Sequence, residues 1–97
     1  LRTLDAADDV GFLALECARL GAPGIGAAIL DGYRKASGDG VAEAVVRTYQ
    51  SLRACVRATL AIRHLREPAH ADNPEWRRRA EAYLAFAERL LDGDAAP

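Results

Sequence analysis

One uninterrupted segment, residues 41–67, constrains the fold of this chain more than any other. It contains no Gly and no Pro, and five of its residues are arginine. Its apolar residues recur in steps of three and four, the spacing of one face of a helix. Such a helix has about 27 residues, is roughly 40 Å long, and exceeds twice the usual length. We therefore expect shorter helices to pack along this apolar face. The face consists of Val41, Val45, Tyr49, Leu52, Val56 and Leu60.

Two segments before the long one also have helical spacing. The first follows the N-terminal aspartates, which favour a helix start, and it stops at Gly21. The second runs from about Gly24 to Ser37, and the glycines of residues 38–40 then predict a turn. The predicted buried positions of these two helices are Val10, Leu13, Ala14, Cys17, Leu20, Ile25, Ile29, Tyr33 and Ala36.

The last helix has the strongest start signal. Asn73 is a good N-cap, Pro74 suits the first helical position, and Glu75 suits the first turn. Its predicted buried stripe is Trp76, Ala80, Tyr83, Leu84, Ala87 and Leu91. Because no segment alternates with period two, we expect an all-α fold, a four-helix bundle-like array built on the long helix at about 41–67. Residues 1–92 form one helical (sub)domain, and residues 93–97 form a tail or linker.

The composition excludes several classes of protein. The net charge is −1 and 51% of the residues are hydrophobic, which argues against disorder and against a general polyanion binder. No apolar run reaches the roughly 18 residues of a membrane span, and there is no signal peptide, so we expect a cytoplasmic protein. The chain starts at Leu1 and contains no methionine, from which we expect a piece of a longer protein.

The local chemistry of cysteine and histidine predicts no active site and no metal site. Cys17 and Cys55 lie on apolar faces without a CxxC pattern, so we expect free, buried thiols. His64 and His70 are too far apart for a metal-binding pair on one helix, and no carboxylate stands at ligand spacing. We therefore expect no cofactor in this chain.

The arginines leave two interpretations open. Arg53 and Arg57 are four residues apart and share a helix face, which is compatible with an anion site or with structural pairing to acids on neighbouring helices. We favour structural pairing, with acids such as Asp5 or Asp9. Residues 77–79 are three arginines in a row, but they lack interleaved aromatics. A solvated helix face explains them better than nucleic-acid binding does.

Three motifs carry a resemblance to a known family. Residues 5–16 (DAADDVGFLALE) resemble the segment just after the metal-binding Asp in aminoglycoside phosphotransferase-like kinases, where an Asp, three residues and Asp-Leu-Ala open a helix. Residues 32–39 are similar to that group's helix ending in Tyr and its Gly-Asp turn. Residues 49–58 (YQSLRACVRA) resemble a Tyr-x-x-x-Arg-Ala-x-Val-Arg-Ala signature. That signature is found in a bacterial branch whose kinase-like domain is often followed by a P-loop ATP-binding domain. The resemblance covers Leu4 to about Leu91, and it departs from the family at Gly11, where Ala is preferred.

The resemblance implies that the chain is the helical part of a protein-kinase-like C-lobe. Asp9 would match the Asp that braces the catalytic loop through hydrogen bonds to its backbone, and Asp5 would match the acidic residue ahead of it. The catalytic Asp, the Mg²⁺-binding Asp, the Lys and the glycine-rich loop would all precede Leu1. ATP and Mg²⁺ are therefore expected only in the parent protein, and this chain alone would line the acceptor cleft without catalysing phosphoryl transfer. Its partner would be the rest of the kinase-like domain.

A free-standing α-helical interaction or dimerisation module is the alternative. If the chain is instead a piece of a lobe, its first helix should expose an apolar patch that includes Phe12 and Leu15. Such a patch would favour self-association of the isolated chain.

Overall fold

The computed structural model describes residues 2–37 and 43–92 of the chain. Within these ranges the backbone forms four helices and no strand, which confirms the predicted all-α array. The helices are α1 (Arg2–Arg19), α2 (Pro23–Ser37), α3 (Glu43–Leu65) and α4 (Pro74–Leu91). The predicted turn at residues 38–40, the expected start of α3 at Val41 and the expected tail at residues 93–97 lie outside the described residues.

The long helix α3 is the axis of the array, as its length predicts. It packs along α4 and also against α1, while α2 packs chiefly against α1. The resulting shape is elongated, with extents of 47 × 26 × 23 Å. No helix in the described part of the chain combines the length and apolarity that crossing a bilayer requires.

The ends of the helices follow local capping chemistry. Gly21 has a φ of 91°, and the N–H of Ala22 donates to the carbonyl of Cys17 at 2.8 Å, which stops α1 with a left-handed glycine. At the start of α4, the side chain of Asn73 accepts a hydrogen bond from the Glu75 N–H at 3.0 Å, and Pro74 follows it. The predicted N-cap of α4 is therefore confirmed.

The long helix ends at Leu65, two residues before its predicted end. Beyond it, the backbone folds into consecutive turns in which an N–H donates to the carbonyl three residues earlier. The first such donors are Arg66 and Glu67, and the last is Asn73, which donates to His70 at 3.0 Å. These tighter turns replace the last helical turn that the sequence pattern predicted.

The buried face of α3 is not the predicted one. The residues buried against α1 and α4 are Val46, Gln50, Ser51, Ala54, Ala58 and Ala61. Leu52 and Val56 of the predicted stripe are 59% and 58% exposed, and Leu60 is exposed as well. Residues two positions apart in a helix differ by about 200° around its axis, so Ala54 and Ala58, each two positions from residues of the stripe, point to the opposite side. Small side chains let the neighbouring helices approach closely, and the bulkier stripe therefore faces outward.

The core is small and its larger cluster comes from α1, α3 and α4, while Leu30 of α2 joins Ala14 and Val46 in a second, smaller cluster. Leu15 packs with Ala54, Ala58 and the α4 side chains Tyr83, Ala87 and Leu90, and Phe12 and Phe86 cover the cluster from the sides. Ala14, Ala80, Tyr83 and Ala87 are buried as predicted. Seven predicted core positions on the other three helices are instead exposed: Leu13, Leu20, Ile25, Ile29, Ala36, Leu84 and Leu91.

The second helix explains two of these errors. A Cβ at Gly26 would lie 2.7 Å from the Ala14 carbonyl oxygen, so only glycine allows α2 to approach α1 this closely. The contact edge of α2 therefore runs through Gly26 and Leu30, both buried, and turns Ile25 and Ile29 outward.

Candidate functional site

The N-terminal half of α1 is joined to α3 by a three-residue ion-pair group, which we call the α1–α3 bridge: Asp8, Asp9 and Arg53. Arg53 Nη2 lies 3.1 Å from Asp8 Oδ2 and 2.9 Å from Asp9 Oδ1, and Arg53 Nε also donates to Asp8. These contacts, led by the hydrogen bond to Asp8, raise the pKa of the Arg53 guanidinium, although partial burial opposes them. The predicted pairing of Arg53 with Asp9 is thus present, and Asp8 joins it.

Below the bridge, Gln50 connects the same two helices. Its side chain is fully buried, and Nε2 donates to the Gly11 carbonyl at 2.8 Å. A Cβ at Gly11 would lie 3.1 Å from Val46 Cγ1, so glycine relieves a tight approach at this crossing. Gly11, the position that departs from the family pattern, therefore has a packing reason in this chain.

The two acidic residues that the resemblance singles out differ in their surroundings. Asp9 is held by Arg53 through Oδ1, its side chain is 76% exposed, and Oδ2 receives no hydrogen bond from any described residue. Asp5 is exposed and makes no ion pair with the described part of the chain. Asp9 is therefore oriented and still has an open acceptor, whereas Asp5 is not positioned by a side-chain contact.

Arg57 does not share the pairing of Arg53. It forms no ion pair with any residue in the described ranges, and its guanidinium lies 5.4 Å from the centre of the Phe12 ring. Arg53 lies over the same ring at 4.9 Å. The expectation that Arg57 also pairs with an acid is not met among the described residues, and its recorded partner is the Phe12 ring.

The C-terminal half of α1 carries a second polar group, the Glu16 network of Glu16, Arg19 and Tyr83. The Tyr83 hydroxyl donates to Glu16 Oε1 at 2.6 Å, and Arg19 Nε donates to Glu16 Oε2 at 2.6 Å. Burial and then the hydrogen bond to Glu16 raise the pKa of Tyr83 to about 12. Burial works against the charge of Arg19, but the hydrogen bond and the charge of Glu16 outweigh it and raise the pKa of the guanidinium.

A partly open cavity of about 240 Å³ lies beside this network, between α1, α3 and α4. Its lining combines three arginines with one carboxylate, and aromatic and aliphatic side chains complete it. The lining residues are Glu16, Arg19, Arg57, Leu60, Ala61, His64, Trp76, Arg79 and Tyr83. Glu16 is already engaged by Arg19 and Tyr83, and Arg79 by Glu75 at 2.9 Å. The described residues thus place no nucleophile beside a free base in this cavity.

A further cluster, which the sequence pattern did not predict, lies where α3 ends. His64, Glu67 and His70, the His–Glu–His cluster, place one ligand atom each within 4.8 Å of one another. The prediction that the two histidines are too far apart is wrong, because it assumed one continuous helix to residue 67. The helix stops at Leu65 and the following turns bring His70 back towards His64. The signal for this cluster was the carboxylate midway in a His-x-x-Glu-x-x-His spacing.

The outward side of the long helix is a separate feature, the outer α3 stripe. It consists of Val45, Tyr49, Leu52, Val56 and Leu60. Val45 and Tyr49 are partly buried and the other three are exposed. Cys55 lies beside it and is an exposed free thiol, which corrects the expectation of burial, whereas Cys17 is partly buried. Large apolar side chains grouped in this way on a surface mark a place where another surface packs.

Phe12 and Leu15 test the expected patch on α1. Leu15 is buried and Phe12 is partly buried, so neither provides the expected exposed surface. The exposed apolar residues of α1 are instead Leu13 and Leu20. The main exposed stripe lies on α3.

Comparison with known proteins adds no assignment to these sites. The chain matches no known protein family, no curated protein and no solved structure.

Proposed function

We propose that this chain is the C-terminal helical subdomain of an aminoglycoside phosphotransferase-like small-molecule kinase of the bacterial cytoplasm. In this proposal it braces the catalytic loop and lines the acceptor cleft, and it is not catalytic alone. ATP and Mg²⁺ bind elsewhere in the parent protein. The Gly-rich loop and the residues that hold the metal and phosphates belong to the segment before Leu1.

The observation that carries the proposal is the meeting of two motifs that lie about 40 residues apart in the sequence. The first motif contains Asp8 and Asp9, and the second contains Arg53 and Arg57. In the fold, Arg53 pairs with both aspartates, and Phe12 of the first motif lies against both arginines. The residues that carry the resemblance therefore form one contact, which supports a shared structural role.

The state of Asp9 suits the role of a brace. Arg53 holds one carboxylate oxygen, and the other is open to accept backbone N–H groups from a neighbouring loop. A carboxylate that accepts backbone N–H bonds fixes a loop strongly, since charge-assisted hydrogen bonds are about twice as strong as neutral ones. The outer α3 stripe gives further support, because the rest of a lobe would cover it.

The test is made in the parent protein and in the isolated chain together. We expect the isolated chain to show no saturable ATP binding in calorimetry. We expect Asp9→Ala in the parent to lower the rate of phosphoryl transfer by about 100-fold, because a misplaced catalytic loop loses its alignment. The matched control is Asp31→Ala on α2, whose carboxylate pairs with Lys35 in an exposed i,i+4 contact.

Two results contradict the proposal. One is saturable binding of ATP by the isolated chain that Arg53→Ala abolishes. The other is an upstream reading frame that encodes neither a glycine-rich loop nor an Asp-containing catalytic loop.

The second candidate function is a free-standing interaction module, and the outer α3 stripe favours it. A symmetric dimer could bury Leu52 and Val56 against the same residues of a second copy. Sedimentation equilibrium of the chain separates the candidates. A tight dimer that Leu52→Glu converts to a monomer, together with a native start near Leu1, favours the module, whereas Leu84→Glu serves as an exposed apolar control on α4.

A further inference from the structure

The His–Glu–His cluster is the one group of metal-ligating side chains within residues 5–36 and 43–92 that the proposed function does not use. Glu67 Oε2 lies 3.6 Å from His64 Nδ1 and 3.3 Å from His70 Nε2. From this geometry we infer that the cluster is a binding site for a first-row transition-metal dication, with Zn²⁺ as the best-suited ion. The inference is independent of any relationship to kinases.

The spacing of the ligand atoms fits tetrahedral zinc. Bonds of roughly 2.0–2.1 Å to nitrogen and oxygen place neighbouring ligand atoms about 3.3–3.4 Å apart. The two edges that involve Glu67 Oε2, 3.3 Å and 3.6 Å, are close to that value. All three ligand atoms lie within 4.8 Å of one another. The third edge joins the two histidine nitrogens, and a small rotation of the half-buried His70 side chain would shorten it.

The backbone places the three residues before any metal arrives. The Glu67 N–H donates to the His64 carbonyl at 3.1 Å, and the His70 N–H donates to the Glu67 carbonyl at 2.9 Å. Because of these two consecutive turns, side chains spaced three residues apart in the sequence converge on one point. A preformed loop loses less conformational entropy on binding, which favours affinity.

Aromatic packing holds the imidazole rings. His64 stacks on Trp76 with ring centres 4.0 Å apart, and His70 meets His64 edge to face at 5.2 Å. His64 Nδ1 is shielded from solvent and has no hydrogen-bond partner among the described residues. A buried polar atom without a partner is uncommon, and a bound cation beside Glu67 would satisfy it.

The ligand types select the ion. Two imidazoles and one carboxylate suit Zn²⁺ and its first-row neighbours, whereas Ca²⁺ and Mg²⁺ prefer all-oxygen sites. Three protein ligands leave the fourth position for water. The ion would join the end of α3 to the turns that lead into α4, and so fix the corner between the two helices.

The experiment uses the full chain without a histidine tag and freed of metal. Zn²⁺ is added while the fluorescence of Trp76, the one tryptophan, is recorded, and calorimetry gives the stoichiometry. We expect one ion per chain, a rise in Tm that a chelator reverses, and with Co²⁺ the visible bands of a tetrahedral site. Absence of saturable binding, or a stoichiometry that does not approach one, overturns the inference.

Matched variants locate the ligands. His70→Ala and Glu67→Gln should each weaken Zn²⁺ binding by at least about tenfold, since even loss of a group that only hydrogen-bonds to a metal ligand costs 10–100-fold. Glu67→Gln keeps the size of the side chain and leaves the stacked pair intact, so circular dichroism should show an unchanged fold. Glu81→Gln, at an exposed pair on α4, should leave binding unchanged.

The two free thiols provide the competing explanation. The double variant Cys17→Ser, Cys55→Ser should retain the full affinity. If that variant loses binding while Glu67→Gln and His70→Ala keep it, the thiols hold the ion and the His–Glu–His cluster is not a site.

Discussion

Helix α1 is held to its neighbours by two polar clusters, the α1–α3 bridge and the Glu16 network. Both pair arginine with carboxylate, but they differ in exposure to solvent. In the α1–α3 bridge, Arg53 is 37% exposed and pairs with two aspartates at the surface. In the Glu16 network, Arg19 is 16% exposed, and the tyrosine that shares the carboxylate is buried. The donor–acceptor distances of the hydrogen bonds are 2.6 Å in the Glu16 network and 2.9–3.3 Å in the α1–α3 bridge.

The comparison teaches that the setting decides the energy of such contacts more than the count of ion pairs does. Water screens an exposed pair, and loss of one partner leaves the other well solvated. In the less exposed Glu16 network, loss of the carboxylate leaves the buried Tyr83 hydroxyl without its acceptor, and the desolvation of that hydroxyl is then uncompensated. The bridge has more contacts, but the Glu16 network should contribute more to stability.

The largest expected effect comes from Glu16→Ala. This change should lower the free energy of unfolding by about 2–3 kcal/mol, because it leaves the Tyr83 hydroxyl and Arg19 without their acceptor. Urea denaturation followed by circular dichroism measures it. Glu88→Ala, at an exposed position of α4, is the control. Its free energy of unfolding should stay within about 0.5 kcal/mol of the wild-type value. Equal losses in the two variants would contradict the comparison.

Alkaline pH tests the same network through Tyr83. Its pKa is raised from 10.0 to about 12 in the fold, so the neutral phenol is favoured and its contribution is fully present below pH 10.0. That contribution is lost as the pH rises towards about 12. Tyr83→Phe should remove this part of the alkaline destabilisation, while Tyr49→Phe, on the outer α3 stripe, should retain it. Thermal unfolding across this pH window, with the tyrosinate absorbance, provides the measurement.

The bridge should respond more weakly. Arg53→Ala is expected to cost about 0.5–1 kcal/mol, since exposed ion pairs contribute little and salt screens them. The loss should shrink at 1 M NaCl, where the screening length is about 3 Å. Chemical denaturation with urea at low and high salt measures it. A salt-independent loss above about 2 kcal/mol would show that the bridge and the Glu16 network do not differ as described.

The smallest expected effect concerns the ion pair of Arg79 and Glu75 on α4. Arg79 donates to Glu75 at 2.9 Å, and this hydrogen bond lowers the pKa of the exposed Glu75 carboxyl below 4.5. The stabilisation is therefore present above that pH and disappears as the pH falls through the lowered pKa. Arg79→Met should return the Glu75 pKa towards 4.5 in an NMR titration. Arg77→Met, whose partner is Glu81, should leave the Glu75 value unchanged.

The sequence predicts helices better than it predicts which face of each helix is buried. Asn73, Pro74 and Glu75 specify the start of α4 by local chemistry, and the structure agrees. Periodicity on α3 identified a true apolar stripe but not its direction, because the alanine face on the opposite side has the same helical period. Small residues give little hydrophobic signal, yet they allow the closest approach between helices.

The candidate sites show the same division. The pairing of Arg53 with Asp9 follows from charge and helix order, so it could be anticipated. The His–Glu–His cluster depends on where α3 stops, and the boundaries of helices are set by turns that local propensity defines poorly. The missing part of the prediction was therefore the geometry of residues 66–72.

The attachment of α2 has a consequence for the motions of the chain. This helix packs chiefly on α1, and its buried residues within 23–36 are Gly26 and Leu30, of which Leu30 joins the smaller core cluster with Ala14 and Val46, while the larger core cluster contains no α2 residue. It can open as a unit without exposing Leu15 or Tyr83, at a free energy below that of global unfolding. Amide protons of α2 should therefore exchange with solvent faster than those in the centres of α3 and α4. Hydrogen exchange would then resolve two cooperative units in a chain of 97 residues.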